Sequence, residues 1–84
     1  MSLPNINIHI TNLPDFIRLA PDEWFHSQII NNATGEGSSK ARAEHARNGT
    51  LGKIVREPNK VSVLILDIEG QPLMTGTFLP LQIP

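Results

Sequence analysis

The sequence predicts an α+β domain, a small and mostly antiparallel sheet carrying one or two short helices and ending in a three-stranded meander. Three observations lead there. Ile6, Ile8 and Ile10 alternate with Asn5, Asn7 and His9, the period of two of a strand with one wet face. Pro21-Asp22-Glu23 is followed by Phe25, Ile29 and Ala33 at a spacing of four, as in a helix opened by proline and by acids at its positive end. From Leu51 onward, three β-rich runs are separated by turn signals.

Between the first strand and that helix, Asn12-Leu13-Pro14-Asp15 marks a turn or a single helical turn carrying Phe16, Ile17 and Leu19. The helix is expected from Pro21 to about Asn32. A strand across Trp24–Ile30, rich in bulky residues, is the competing reading. Gly35 and Gly37 interrupt regular structure, and Ser38 or Ser39 can cap a short helix over Lys40–Arg47 that ends at Asn48-Gly49. Leu51–Arg56 reads as a strand and Glu57-Pro58-Asn59-Lys60 as a turn with proline preset at its second position. Val61–Ile68 is apolar on both faces around Leu64–Leu66, which predicts the central strand and a large cost for Leu64→Ala. Glu69-Gly70-Gln71 closes a second hairpin, and Leu73–Leu79 returns before Pro80.

With 84 residues, 39% of them hydrophobic and 18% charged, the chain has the composition of one small globular domain rather than of a disordered segment. It could be a piece of a larger protein, and Met1-Ser2-Leu3 could be an expression scar. The net charge of −1 argues against a strongly basic nucleic-acid binder. The absence of cysteine excludes disulfides and thiolate chemistry. No apolar run approaches the roughly 18–20 residues of a membrane span. No membrane association is expected, and the expected location is cytoplasmic.

The stretch Thr34–Gly49, "TGEGSSKARAEHARNG", looks most like a site. It is not a Walker loop, because Ser38-Ser39 separates Gly37 from Lys40. Gly37, Ser38 and Ser39 could still form an anion loop from free N–H groups and hydroxyls at a helix start, against the plainer reading of a cap and surface loop. Six of the seven Lys and Arg residues fall between positions 40 and 60, where the acids are Glu44 and Glu57. Lys40, Arg42, Arg47, Lys53 and Arg56 are therefore candidate phosphate contacts. The plainer reading is a solvated face with Lys40–Glu44 and Glu44–Arg47 pairs. No aromatic residue interleaves this run, so sequence reading by base stacking is not expected.

Catalysis has little support. His9, His26 and His45 are too scattered for a local metal motif, and no cofactor, metal or catalytic residue is assigned. Asp22 and Glu23 suit a helix start, and Asp67 suits a turn, or could pair with Arg56 across the hairpin. Trp24 and Phe25 belong to the core or to an interface.

"QIINN" (28–32), "RNGTLGKIV" (47–55) and "VSVLILDIEGQPL" (61–73) together resemble the SH3-like accessory barrel of RecD-type helicases and conjugative relaxase-helicases. There a strand ending in Asn precedes a loop, an N-G-x-x-G-x-[IV] motif and an acidic-Gly hairpin. The likeness covers roughly residues 28–79. The long Asn32–Arg47 connection and the first 27 residues depart from it. It implies a partly open SH3-like barrel and a non-enzymatic module that contacts or guides DNA through its backbone, an accessory part of a DNA-processing or mobile-element protein. The alternative is a small structural or assembly protein, such as a phage-type component, acting through a protein partner or homo-oligomer around Trp24, Phe25 and an exposed sheet edge. A small enzyme ranks last. A continuous basic stripe would favour nucleic acid, whereas dispersal of the basic residues would favour assembly.

Overall fold

The structure, a computed structural model, describes residues 3–35 and 40–81, with side chains 33–35 and 40–43 excepted. The chain runs β1 (Asn5–Ile10), α1 (Leu13–Leu19), α2 (Asp22–Gly35), α3 (Lys40–Asn48), β2 (Thr50–Glu57), β3 (Lys60–Leu66) and β4 (Pro72–Pro80). Stretch 24–30 is helical, so the strand alternative falls. α2 continues three residues past the expected Asn32.

The four strands form one mixed sheet in the order β1-β4-β3-β2. β2, β3 and β4 make the expected antiparallel meander, and β1 adds to it parallel to β4, with Asn5 opposite Thr75 and Ile10 opposite Pro80. β1 and β2 stand at opposite edges. The sheet is open, without the closure that a barrel requires. Gln28–Asn32, a strand in the helicase-barrel pattern, lies within α2 here.

Local chemistry explains the connections. Pro58-Asn59 spans the tight turn between Glu57 and Lys60. At the other hairpin the Asp67 carboxylate accepts hydrogen bonds from the N–H groups of Glu69 and Gln71, both at 2.9 Å, and Gly70 takes φ +83°. Asp67 thus organises its own turn and does not pair with Arg56. The two glycines of "NGTLG" both make room for Leu66. A Cβ on Gly49 would run into the Leu66 carbonyl oxygen. One on Gly52, at the β-bulge between Leu51 and Lys53, would lie 2.6 Å from the Leu66 side chain.

All three helices lie on one face of the sheet. The core between the layers holds Ile8, Leu13, Phe25, Ile29, Ala46, Val61, Val63, Ile65, Met74 and Phe78. Gly76 on β4 lets Ile29 of α2 close on the sheet, since a Cβ there would lie 2.7 Å from Ile29 Cδ1. Ala46 docks α3, and His26 Nε2 donates to the Ala46 carbonyl at 2.9 Å. That packing gives a nine-residue helix the support it would lack alone.

The opposite face is uncovered. Asn5, Asn7 and His9 of β1, Thr75 and Thr77 of β4, Ser62 and Leu64 of β3, and Lys53 and Val55 of β2 are all exposed or half-exposed there. Thr75 and Thr77 hydroxyls donate to Asn5 Oδ1 at 2.7 and 3.2 Å, tying the two strands together on this wet side. β3 is therefore buried on one face only. Val61, Val63 and Ile65 fill the core, while Leu64 sits half-exposed on the bare face. The large cost expected for Leu64→Ala is corrected accordingly. Its loss should stay within about 1 kcal/mol in urea denaturation, while Ile65→Ala falls in the range of roughly 2–5 kcal/mol for emptied core positions. Equal losses would mean that something covers the bare face.

Candidate interaction site

The corner where α1 meets α2 is held by an aromatic column and an arginine. All four aromatic residues of the chain take part. Phe16 of α1 stacks on Trp24 of α2, with centroids 4.6 Å apart and planes 11° apart. Trp24 meets Phe25 edge-on at 5.1 Å, and Phe25 meets Phe78 of β4 edge-on at 5.0 Å. The column runs from the surface to the core. Phe25 is fully buried, so it belongs to the interior and not to an interface, while Trp24 remains half-exposed.

Arg56 reaches from β2 across this corner. Its Nη1 donates to the Ile17 carbonyl at 2.6 Å, and its Nη2 donates to the Ala20 carbonyl at 3.2 Å and to Asp22 Oδ1 at 2.5 Å. Its guanidinium lies 5.0 Å from the centre of the Phe25 ring. The cation thus meets carbonyls that the end of α1 leaves open and a carboxylate at the start of α2, the two helix ends favouring those charges. Arg56 is a structural clasp: three of its N–H donors are engaged within the fold, which weakens its expected place among the phosphate contacts.

The other basic candidates are dispersed. Lys53 lies on the bare sheet face beside Asn5, Ser62, Leu64, Thr75 and Thr77. Arg47 is exposed at the end of α3, in the helical layer on the other side. Lys60 pairs with Glu57 at 3.7 Å. Glu44–Arg47 is not among the ion pairs of the described residues. The Lys40 and Arg42 side chains lie outside the described residues, as do Gly37, Ser38 and Ser39 and with them the anion loop. The described basic residues form no single stripe.

The α1–α2 corner instead opens a concavity of about 450 Å³ lined by Asn12, Asp15, Phe16, Leu19, Ala20, Pro21 and Trp24. Its apolar wall is Phe16, Pro21 and Trp24, and Leu19 projects from it at 75% exposure. Asp15 is held at the rim by Arg18, 3.0 Å away. Phe16 and Leu19 were not singled out as site residues by sequence reasoning. A signal for Leu19 was present: Leu13, Phe16, Ile17 and Ala20 follow the i, i+3, i+4, i+7 pattern of a packed helix face, and Leu19 falls off it. An exposed aliphatic side chain thus stands beside a half-exposed tryptophan on this surface.

Among the described residues no polar or charged side chain is buried, and no three His, Asp or Glu residues converge to hold a metal ion. His9 and His45 are exposed on different layers, while His26 is engaged with Ala46. No described helix is long and apolar enough to cross a membrane. No protein-family model, curated protein or solved structure matches the chain.

Proposed function

We propose that the chain is a non-enzymatic assembly module that docks a protein partner at the α1–α2 corner. The observation that carries this is Leu19, a large aliphatic side chain left in water beside the Phe16–Trp24 stack, over a concavity with a polar rim. A partner would insert an aliphatic or aromatic side chain there, covering the face of Trp24 with Leu19 closing over it. The dispersal of Arg47 and Lys53 between the two layers supports this reading over the nucleic-acid one. The nucleic-acid reading, with its likeness to the helicase accessory barrel, stays second. It rests on Lys53 standing among hydrogen-bonding side chains on the bare sheet, and on Lys40 and Arg42.

The chain's single tryptophan makes the test direct. Peptides selected on the protein from a random display library should be rich in aromatic and aliphatic residues and should shift Trp24 emission to the blue. Leu19→Asp should abolish their binding without changing the melting curve. Labelled DNA should stay unbound even at low salt. The ranking reverses if no Trp24-reporting peptide emerges and DNA binds with a steep, sequence-indifferent salt dependence that weakens on replacing Arg47 and Lys53.

A further inference from the structure

The two edges of the sheet are unequally protected. Along β2 the edge is broken by the Leu51/Lys53 bulge and carries Lys53, Arg56 and Glu57. These are the devices that keep edge strands from pairing with other chains. β1, "NINIHI", has six residues with no bulge, no proline and no Lys, Arg, Asp or Glu. Its pairing with β4 also fixes which of its backbone groups are used. The Pro4 and Ile10 carbonyls accept from the N–H groups of Thr75 and Leu81, at 2.9 and 3.0 Å. In a parallel ladder every second residue turns both its N–H and its C=O to the same neighbour. Ile6 and Ile8 share the phase of Pro4 and Ile10, so the N–H and C=O groups of Asn5, Asn7 and His9 point outward. Among the described residues nothing pairs with them.

We propose that this edge is a homodimer interface, in which β1 pairs antiparallel with β1 of a second copy about a two-fold axis through Asn7. The three outward residues are self-complementary in that register. Asn7 faces the second copy's Asn7, and Asn5 faces its His9, so all six free groups are hydrogen-bonded. On the helical side Ile6 faces the second copy's Ile8, and no two formal charges are opposed. Any even-numbered register keeps apolar faces together, but moving the axis to Ile8 leaves Asn5 without a partner and forms four bonds instead of six. The product is one continuous eight-stranded sheet, helices on one side and the polar face on the other, with an isologous interface that closes at two copies. An edge this short falls below the roughly 1,200–2,000 Å² of a tight complex, so the dimer is weak. The interface goes beyond the α1–α2 corner and does not depend on it.

Sedimentation from micromolar to millimolar protein should show the mass rising from 9.3 kDa toward twice that value. Asn7→Lys opposes two like charges on the axis and should move the midpoint about tenfold or more to higher concentration, most strongly at low salt. Asn7→Pro deletes an outward N–H that β4 does not use and should also abolish the dimer. A melting curve shows whether that variant folds, and Asn7→Lys carries the test if it does not. Paired Asn7 Cα atoms would lie about 5.5 Å apart, within disulfide range. In a chain with no other cysteine, Asn7→Cys should therefore oxidise to a covalent dimer. Val55→Cys, on the bare face of β2, should remain largely monomeric. Leu19→Asp should leave the dimer intact. A 9.3 kDa species at every concentration, or an association indifferent to Asn7→Lys, overturns the proposal.

Discussion

Phe25→Ala is expected to remove about 3–5 kcal/mol of folding stability, the range for truncating a fully buried aromatic. Phe25 touches Trp24, Phe78 and the Arg56 guanidinium at once. Its loss empties the junction of α2, β4 and β2 and leaves the Trp24–Phe16 stack without its inner support. A domain of this size has total stability near the low end of about 5–15 kcal/mol. The variant should then keep no more than about 2 kcal/mol and show a sizeable unfolded fraction near room temperature, as read by urea titration of Trp24 fluorescence and far-ultraviolet circular dichroism. A loss below about 1 kcal/mol would show that the aromatic column does not anchor the core.

Arg56→Ala should cost about 2–3 kcal/mol, more than a surface ion pair alone. The Asp22 partner is half-exposed, and such a pair contributes at most about 1 kcal/mol. The larger part comes from the charged hydrogen bonds to the Ile17 and Ala20 carbonyls and from the guanidinium packed over the Phe25 ring. Asp22→Ala should accordingly cost less than half as much. Arg56→Lys should recover little, because one ammonium cannot place two forked donors on two carbonyls while lying over a ring. Denaturation midpoints for the three variants decide this. An Arg56→Ala loss within about 0.5 kcal/mol would return Arg56 to the surface. Loss of any DNA affinity in that variant would need a folding control before it spoke about contact.

Much of the fold was legible because it is local. The alternation in residues 5–10, the Pro58 turn, the Asp67–Gly70 turn and the spacing of Phe25 and Ile29 each depend on neighbours within a few positions. The illegible parts depend on distant ones. Leu64 and Ile65 are both large aliphatics, and only the placement of all three helices on one side decides that Ile65 is buried and Leu64 is not. Trp24 and Phe25 are adjacent, and which of them is core follows from the position of Phe78, more than fifty residues away. Arg56 looked like one member of a basic cluster because its partners, Ile17, Ala20 and Asp22, lie 34 to 39 positions earlier. Phe16 and Leu19 became a site only once α1 turned back against α2.

The parallel seat of β1 against β4 joins residues 70 apart, Asn5 and Thr75, whereas the meander is stitched by turns of a few residues. Closing so long a segment is entropically slower than closing hairpins. The meander can therefore assemble early, with β4 as its provisional margin. During synthesis β1 emerges before its partner β4 and has to wait, unpaired and isoleucine-rich, until that strand appears. Among these four strands, the one made first is then the last one seated. In that interval the vacant side of β4 is open to whichever β1 arrives, its own or a neighbour's, so crowded folding carries a risk of exchanged strands.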